Sequence, residues 1–175
     1  MNIPKKVKVT YFYDALCGWC FGMTPSLSKL YQKHQHCVDF EVISGGLFLN
    51  GSAGKVNDVA PHIKKGAYKL VEERTAVKFG QAFLSDLFGK GENTLNSLLP
   101  AIALCIVKES FPERVMEFST SLTRAVYADG IDSIDINAYT KYAIKIGFEE
   151  NIFQEKMRDK HYESMAHQDF LAYQN

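Results

Sequence analysis

The N-terminal part of the chain shows, in turn, the two periodicities that strands and helices produce. Valines and tyrosines at every second position predict a strand over Val7–Tyr13 with one face in a core. Apolar residues at helical spacing predict a helix over about Thr24–Gln35. A second apolar run predicts a strand over Val38–Ile43, ended by Gly45 and Gly46. Such a strand–helix–strand unit normally closes as a right-handed parallel crossover.

The start of this helix has two interpretations. Thr24 and Pro25 suit an N-cap followed by a first helical position. If the helix already begins at Cys17, Pro25 lies inside it and is expected to kink it, because proline has no N–H to donate. In the first case a turn over residues 14–23, which carries both cysteines, joins the first strand to the helix.

After a loop rich in Gly, Ser and Asn over Gly45–Gly54, the pattern becomes helical. The predicted helices are Val56–Leu70 (broken near Pro61 and Gly66), Val71–Phe88, Leu95–Glu109, Pro112–Tyr127, Ile136–Ile146, Glu150–Met157 and His161–Tyr173. The sequence therefore predicts an α/β unit over residues 1–50, an all-helical block over 51–160, and a helix over 161–175 that returns to the α/β unit.

Two parallel strands make a poor sheet, since three or more are usually needed for independent stability. The outer edge of such a pair also leaves backbone N–H and C=O groups unpaired. We therefore expect the natural product to continue past Asn175 with a closing hairpin and a terminal helix, roughly 30 residues at average element lengths. Otherwise the sheet is completed by other means, such as exchange of strands in a dimer.

Composition narrows the functional classes. The chain is 46% hydrophobic and 23% charged, as soluble globular proteins are. Its 20 lysines and arginines balance 20 aspartates and glutamates, so no basic surplus is available for nucleic acid or for an anionic membrane surface. The longest apolar run, Ala101–Val107, is far shorter than the ~20 residues of a spanning helix. Lys8 and Asp14 interrupt the N-terminal apolar stretch and argue against a signal peptide, so we expect a cytoplasmic protein.

Cys17 and Cys20 form the close cysteine pair of the sequence. In a cytosolic chain such a pair is more often catalytic or metal-binding than structural. The N-terminus of the following helix offers unpaired N–H groups that favour the thiolate of Cys17. We expect Cys17 to attack a partner disulfide and Cys20 to attack the resulting mixed disulfide. Gly18 and Trp19 are the candidate substrate-binding residues, with Trp19 as an apolar surface.

A zinc site is the main alternative use of this pair. Thirteen residues separate Cys20 from His34, a spacing seen in zinc fingers, and His36 and Cys37 follow directly. However, the intervening segment is predicted to be helical, which places His34 about 20 Å from the pair along the axis. Zinc ligands must lie within about 2.3 Å of the metal, so the redox interpretation is favoured. Cys37 and Cys105 are expected to be structural.

The segment Tyr11–Cys20, followed by Gly45-Gly46-Leu47, resembles the DsbA-like thioredoxin family, in particular its cytoplasmic FrnE-type branch. The resemblance implies an α/β thioredoxin-like fold with a large helical insertion, in which Cys17 is the nucleophile and Cys20 the resolving cysteine. Gly18 stands where that branch usually has proline, which leaves the redox potential open. The family also has a cis-proline loop facing the cysteines, and none of the five prolines of this chain is placed to serve: Pro4, Pro25, Pro61, Pro100 and Pro112.

The sequence therefore predicts a thiol–disulfide oxidoreductase that acts on protein or small-molecule thiols and disulfides. We expect no bound cofactor, because the electrons reside in the Cys17–Cys20 pair. Whether the protein oxidises or reduces its substrates depends on the reduction potential of this pair, which the sequence does not predict. Two other functions stay open. One is a glutathione-dependent isomerase or transferase of the kappa-class type, which generally has a single Ser or Cys at the helix start. The other is a non-catalytic peptide-binding module.

Overall fold

A parallel pair of strands supports the cysteine motif in the structure. The structure is a computed structural model that describes residues 6–174, with their side chains except at positions 64 and 86–88. Strand β1 (Val7–Tyr13) pairs in parallel with β2 (Val38–Ser44), with Val7 opposite Val38 and Tyr13 opposite Ser44. Helix α1 (Gly18–His34) connects the two strands. The predicted strand–helix–strand unit is confirmed.

Helix α1 begins next to the first cysteine and not at Thr24, so the earlier of the two possible starts is correct. Pro25 lies inside the helix and cannot donate to the carbonyl of Phe21, one turn earlier. The Thr24 hydroxyl donates to that carbonyl instead, at 2.8 Å. This hydrogen bond replaces the missing one and lets the helix continue through the proline.

The rest of the chain is mostly helical. Its elements are β3 (Gly54–Lys55), α2 (Val56–Val59), α3 (Tyr68–Thr75), α4 (Phe88–Lys90), β4 (Thr94–Leu95), α5 (Leu98–Ser110), α6 (Val115–Tyr127), α7 (Ile136–Lys145), α8 (Glu150–Lys156) and α9 (Lys160–Gln174). The segment Ile63–Ala67 before α3 contains a kink at Gly66, where φ is 103°, and a short π-helical segment (Phe83–Leu87) precedes α4. None of the helices described within residues 6–174 combines the length and apolarity needed to cross a membrane.

Two predicted helices differ from the structure. The single helix over Val71–Phe88 is wrong, because α3 ends at Thr75 and Ala76 takes a left-handed conformation with φ of 61°. Leu95 lies in β4, which pairs antiparallel with β3, and α5 begins only at Leu98. Strands of two residues are too short to show a periodicity, so the sequence pattern does not reveal them.

Two clusters of buried side chains form the core. The larger one lies along α5, whose residues 100–107 are all buried, and includes residues of α6, α7, α8 and α9. The smaller one includes residues of the cysteine turn and of α1 and is rich in aromatic rings. Its buried members are Leu16, Phe21, Phe48, Val56, Ala60, Val71, Phe79, Phe83, Leu95, Val126 and Tyr127. The helical block therefore packs against the α/β unit at the motif itself.

The two edges of the small sheet differ. Helix α9 covers the outer edge of β2, where Asp169 accepts a hydrogen bond from the backbone N–H of Ser44 at 3.0 Å and pairs with Lys108. Among the described residues, no strand pairs with the outer edge of β1. The proposed division of the chain at residues 50 and 160 stays a prediction.

Candidate active site

The turn between β1 and α1 places Cys17 at the entrance of the helix. Cys17 is the N-cap residue, with an extended backbone (φ −93°, ψ 112°), and its N–H donates to the carbonyl of Asp14 at 3.1 Å. Its own carbonyl accepts the first helical hydrogen bond, from the N–H of Phe21 at 3.1 Å. The first turn of α1 brings the second thiol, that of Cys20, next to the first. Both are free, half-buried thiols.

The surroundings of Cys17 favour its thiolate. The pKa of Cys17 is lowered to about 6, first by a hydrogen bond from the Cys20 thiol and then by the backbone N–H groups of Cys20 and Trp19. Partial burial and the negative charge of Asp14 oppose this shift. The net result is a thiol that ionises more readily than an ordinary cysteine.

Cys20 has the opposite electrostatics. Its pKa is raised, first because its thiol donates to Cys17, and further by burial and by the charge of Cys17. The backbone N–H of Asp14 and the hydroxyl of Tyr11 form hydrogen bonds with the Cys20 sulfur that act against this shift. Because the two sulfurs share one hydrogen bond, Cys17 holds the charge while Cys20 keeps its proton.

Tyr11 is a site residue that sequence reasoning missed. Burial is the largest cause of its raised pKa, followed by the charge of Cys20. The phenol therefore stays protonated and able to donate. The alternation of β1 placed Tyr11 on a buried face, but only the docking of α1 on that face shows that it meets Cys20.

Close packing of the motif against the helical block depends on a glycine. A Cβ atom on Gly22 would lie 2.8 Å from side-chain atoms of Val71 and Thr75, whereas one on Gly18 would be in ordinary contact, 3.5 Å from the ring of Phe79. Gly22 thus lets α1 approach α3 closely. In the same cluster of buried side chains, the hydroxyl of Tyr127 donates to the carbonyl just before Cys17, that of Leu16.

Two cavities open next to Cys17. The first, of about 230 Å³, lies between the motif and the helical block and is largely apolar; its lining includes Trp19, Leu47, Phe48, His62, Ile63, Tyr68 and Phe79. Trp19 forms its rim and is 47% exposed. The second, of about 300 Å³, lies on the side of the β1 edge and is lined by both cysteines together with Phe12, Leu47 and Tyr173, among others. Cys17 is therefore accessible from both cavities.

Comparisons with known proteins bear on the fold. No family model matches the chain, and no curated protein matches it in sequence. A candidate protein disulfide isomerase from Nitrosomonas europaea has a similar structure, with a TM-score of 0.78 and 19% identity, over 96% of this chain and 78% of that one. So does the glutathione-bound cytosolic disulfide reductase DsbM from Pseudomonas aeruginosa, with a TM-score of 0.76 and 21% identity, over 96% and 78%. The chain has the DsbA-like thioredoxin fold.

The DsbA-like fold, with its helical insertion, confirms the predicted fold class. It is also shared by proteins with other chemistry: a 2-hydroxychromene-2-carboxylate isomerase matches with a TM-score of 0.65 and 12% identity, over 95% of this chain and 78% of that one. The fold alone therefore does not determine the activity, which depends on the residues of the site.

The structure brings together all four residues that the sequence predicts for the site: Cys17, Gly18, Trp19 and Cys20. Cys37 lies elsewhere, exposed in the turn before β2, where its thiol contacts the carbonyl of His34 at 3.5 Å. Cys105 is fully buried in α5, and burial raises its pKa to about 12. Among the described residues, no group of three His, Cys, Asp or Glu side chains is arranged to hold a metal.

Alkylation should distinguish the two thiols of the site. In the reduced protein with Cys37→Ser, iodoacetamide should modify Cys17 first, with a midpoint near pH 6, because Cys17 is the ionised member of the pair. Peptide mapping at a series of pH values measures this. Preferential labelling of Cys20, or a Cys17 midpoint near the ordinary value of about 8.5, would contradict the assignment.

Proposed function

We propose that this protein is a thiol–disulfide oxidoreductase in which Cys17 is the nucleophile and Cys20 the resolving cysteine. One observation carries the proposal: two adjacent thiols at the start of α1 whose pKa values are shifted in opposite directions. A low-pKa thiolate attacks, and a neighbouring thiol that keeps its proton waits for the second step.

The exchange proceeds in two balanced steps. The Cys17 thiolate attacks one sulfur of a substrate disulfide, so that a Cys17–substrate disulfide forms and the other substrate sulfur leaves as a thiolate, which takes up a proton. Cys20 then loses its proton and attacks the Cys17 sulfur. The Cys17–Cys20 disulfide forms, the second substrate thiol is released, and two electrons have passed to the substrate. Oxidation of a dithiol substrate is the same sequence in reverse.

The cavity between the motif and the helical block suits the substrate. Its lining is mostly apolar, and Trp19 offers a half-exposed ring beside the reacting sulfur. Gly18 leaves the approach to Cys17 free of a side chain. We propose that protein or small-molecule thiols and disulfides bind here, in the cytoplasm, and that the reaction needs no cofactor beyond the two sulfurs.

The second sulfur favours redox chemistry over the other candidate functions. A glutathione-dependent isomerase or transferase needs a single activated group at the start of the helix and has no use for a resolving thiol. A binding module needs neither thiol ionised. Cys20 is held by Cys17, the N–H of Asp14 and the Tyr11 hydroxyl, an arrangement that serves disulfide formation.

Redox cycling of the protein itself tests the proposal. Reduced protein mixed with a disulfide-containing protein or with glutathione disulfide should lose two hydrogen atoms and gain a Cys17–Cys20 linkage, because the substrate is reduced at its expense. Mass spectrometry with peptide mapping measures this, and Cys37→Ser should react at the same rate. A protein that binds the substrate while both thiols stay reduced would contradict it.

A further inference from the structure

A buried carboxylate, that of Asp14, lines the same cavity as Cys17 and has no part in the exchange steps. Asp14 is only 6% exposed. Its Oδ1 accepts hydrogen bonds from the N–H of Leu16 at 2.8 Å and from the hydroxyl of Ser97 at 3.1 Å. Its Oδ2 accepts from the N–H of Leu47 at 2.7 Å, and the N–H of Gly46 is a further partner.

These hydrogen bonds join three separate parts of the chain. Leu16 belongs to the cysteine turn, Leu47 to the loop after β2, and Ser97 to the start of α5 in the helical block. Ser97 is itself fixed, because its hydroxyl accepts from the N–H of Phe48 at 3.0 Å and its N–H donates to the Phe48 carbonyl at 2.9 Å. Asp14 therefore holds the redox turn against the insertion.

Burial raises the pKa of Asp14, and its hydrogen-bond partners act against that rise. All four are donors, three amides and one hydroxyl, so each favours the carboxylate over the protonated acid. The titratable groups that face Asp14 are three phenols and a thiol, which are neutral when protonated and negative when ionised, so none of them supplies a positive charge. They are Tyr13 on β1, Cys17 at the start of α1, Tyr127 on α6 and Tyr139 on α7. The carboxylate thus places an uncompensated negative charge beside the sulfur that ionises.

We propose that Asp14 is a positioning residue that docks the redox turn on the helical insertion and, by its charge, restrains the ionisation of Cys17. The inference rests on the proposed function and deepens it, since the charge of Asp14 would set how readily the nucleophile forms. In the reduced protein, Asp14 and the Cys17 thiolate repel each other, whereas the disulfide carries no charge. Asp14 would therefore favour the disulfide form.

The Asp14→Asn variant removes the charge and keeps the size of the side chain. Asparagine keeps an oxygen for Leu16 and Ser97, but its NH2 group faces the N–H of Leu47, where the carboxylate accepts a hydrogen bond. The alkylation midpoint of Cys17 should then move to lower pH by about one unit, a roughly tenfold larger acid dissociation constant. A merely structural role predicts the reverse, because a loosened turn loses the N–H groups that stabilise the thiolate and its midpoint rises. Unchanged or raised midpoints overturn the proposal.

Ser97→Ala is the matched control, since it removes one hydrogen bond of the same carboxyl and leaves the charge. Its Cys17 midpoint should not move to lower pH; an acid shift as large as that of Asp14→Asn would assign the effect to the turn and overturn the role of the charge. Alkylation needs no substrate turnover, so it is informative even if the proposed exchange activity fails.

A measurement on the unmodified protein covers the case in which the variants fold poorly. The ¹³C resonance of the Asp14 carboxyl should be that of a carboxylate at about pH 7 in the reduced and in the oxidised protein. A protonated Asp14 at that pH has no charge to exert on Cys17 and overturns the proposal, whatever the variants do.

Discussion

The Cys20→Ser variant should accumulate covalent complexes with its substrates through Cys17. Without the second thiol, the Cys17–substrate disulfide forms but is not attacked from within the site, because serine does not displace a sulfur. Turnover should fall by a factor of at least about 100, in line with the loss of an essential covalent step. Non-reducing electrophoresis shows the complexes, and mass spectrometry of the released partners identifies the substrates.

Two further variants make this result specific. Cys17→Ser removes the nucleophile and should form few or no complexes, although Cys20 is still present. Cys37→Ser removes the exposed thiol in the turn before β2 and should behave like the wild type. Equal trapping by the Cys17 and Cys20 variants would mean that the two roles are not distinct, and trapping that depends on Cys37 would move the chemistry away from the motif.

The part of the fold around the motif could be predicted because its signals are local. The period-two pattern of β1 and the turn residues near Gly45 each lie within a few positions of the element they define. The beginning of α1 was ambiguous for a physical reason. Pro25 normally excludes a helix interior, and only the hydrogen bond from Thr24 to the Phe21 carbonyl shows how the helix tolerates it.

The sequence predicted that the pKa of Cys17 is lowered, but it did not predict the main cause of this shift. Sequence reasoning assigned the low pKa of Cys17 to the N–H groups at the start of the helix. In the structure, the Cys20 thiol is the largest cause, and the N–H groups of Cys20 and Trp19 come after it. A spacing of three residues indicates that two sulfurs can meet, but it does not show which of them donates to the other.

The supporting residues could not be predicted, because their partners are far apart in the sequence. The hydrogen bond between Asp14 and Ser97 joins residues 83 positions apart, and that between Leu16 and Tyr127 spans 111. Phe79, a wall of the cavity, lies in a segment that was expected to be helical. Periodicity describes one element at a time, so contacts of this kind appear only when the insertion packs on the motif.

The helical insertion packs very closely at Gly80, and Gly80→Ala should therefore destabilise the protein strongly. A Cβ atom on Gly80 would lie 1.8 Å from the carbonyl oxygen of Ala128, a backbone atom that cannot rotate away. The N–H of Gly80 also donates to the carbonyl of Tyr127 at 2.8 Å, so the two segments cannot separate without losing this hydrogen bond. We expect a loss of about 3 kcal/mol or more in the free energy of unfolding.

Gly51→Ala is the matched control, since a Cβ atom there meets no other atom within 4 Å. Neither glycine has a left-handed backbone, so the comparison isolates the space around the added methyl group. Urea unfolding of the three proteins measures the difference, with the control expected within about 0.5 kcal/mol of the wild type. Because Phe79, next to Gly80, contacts Phe21 and lines the cavity beside Cys17, the alanine should also disturb the redox site. A Gly80→Ala protein as stable as the control would show that the segments around Gly80 and Ala128 do not pack as described.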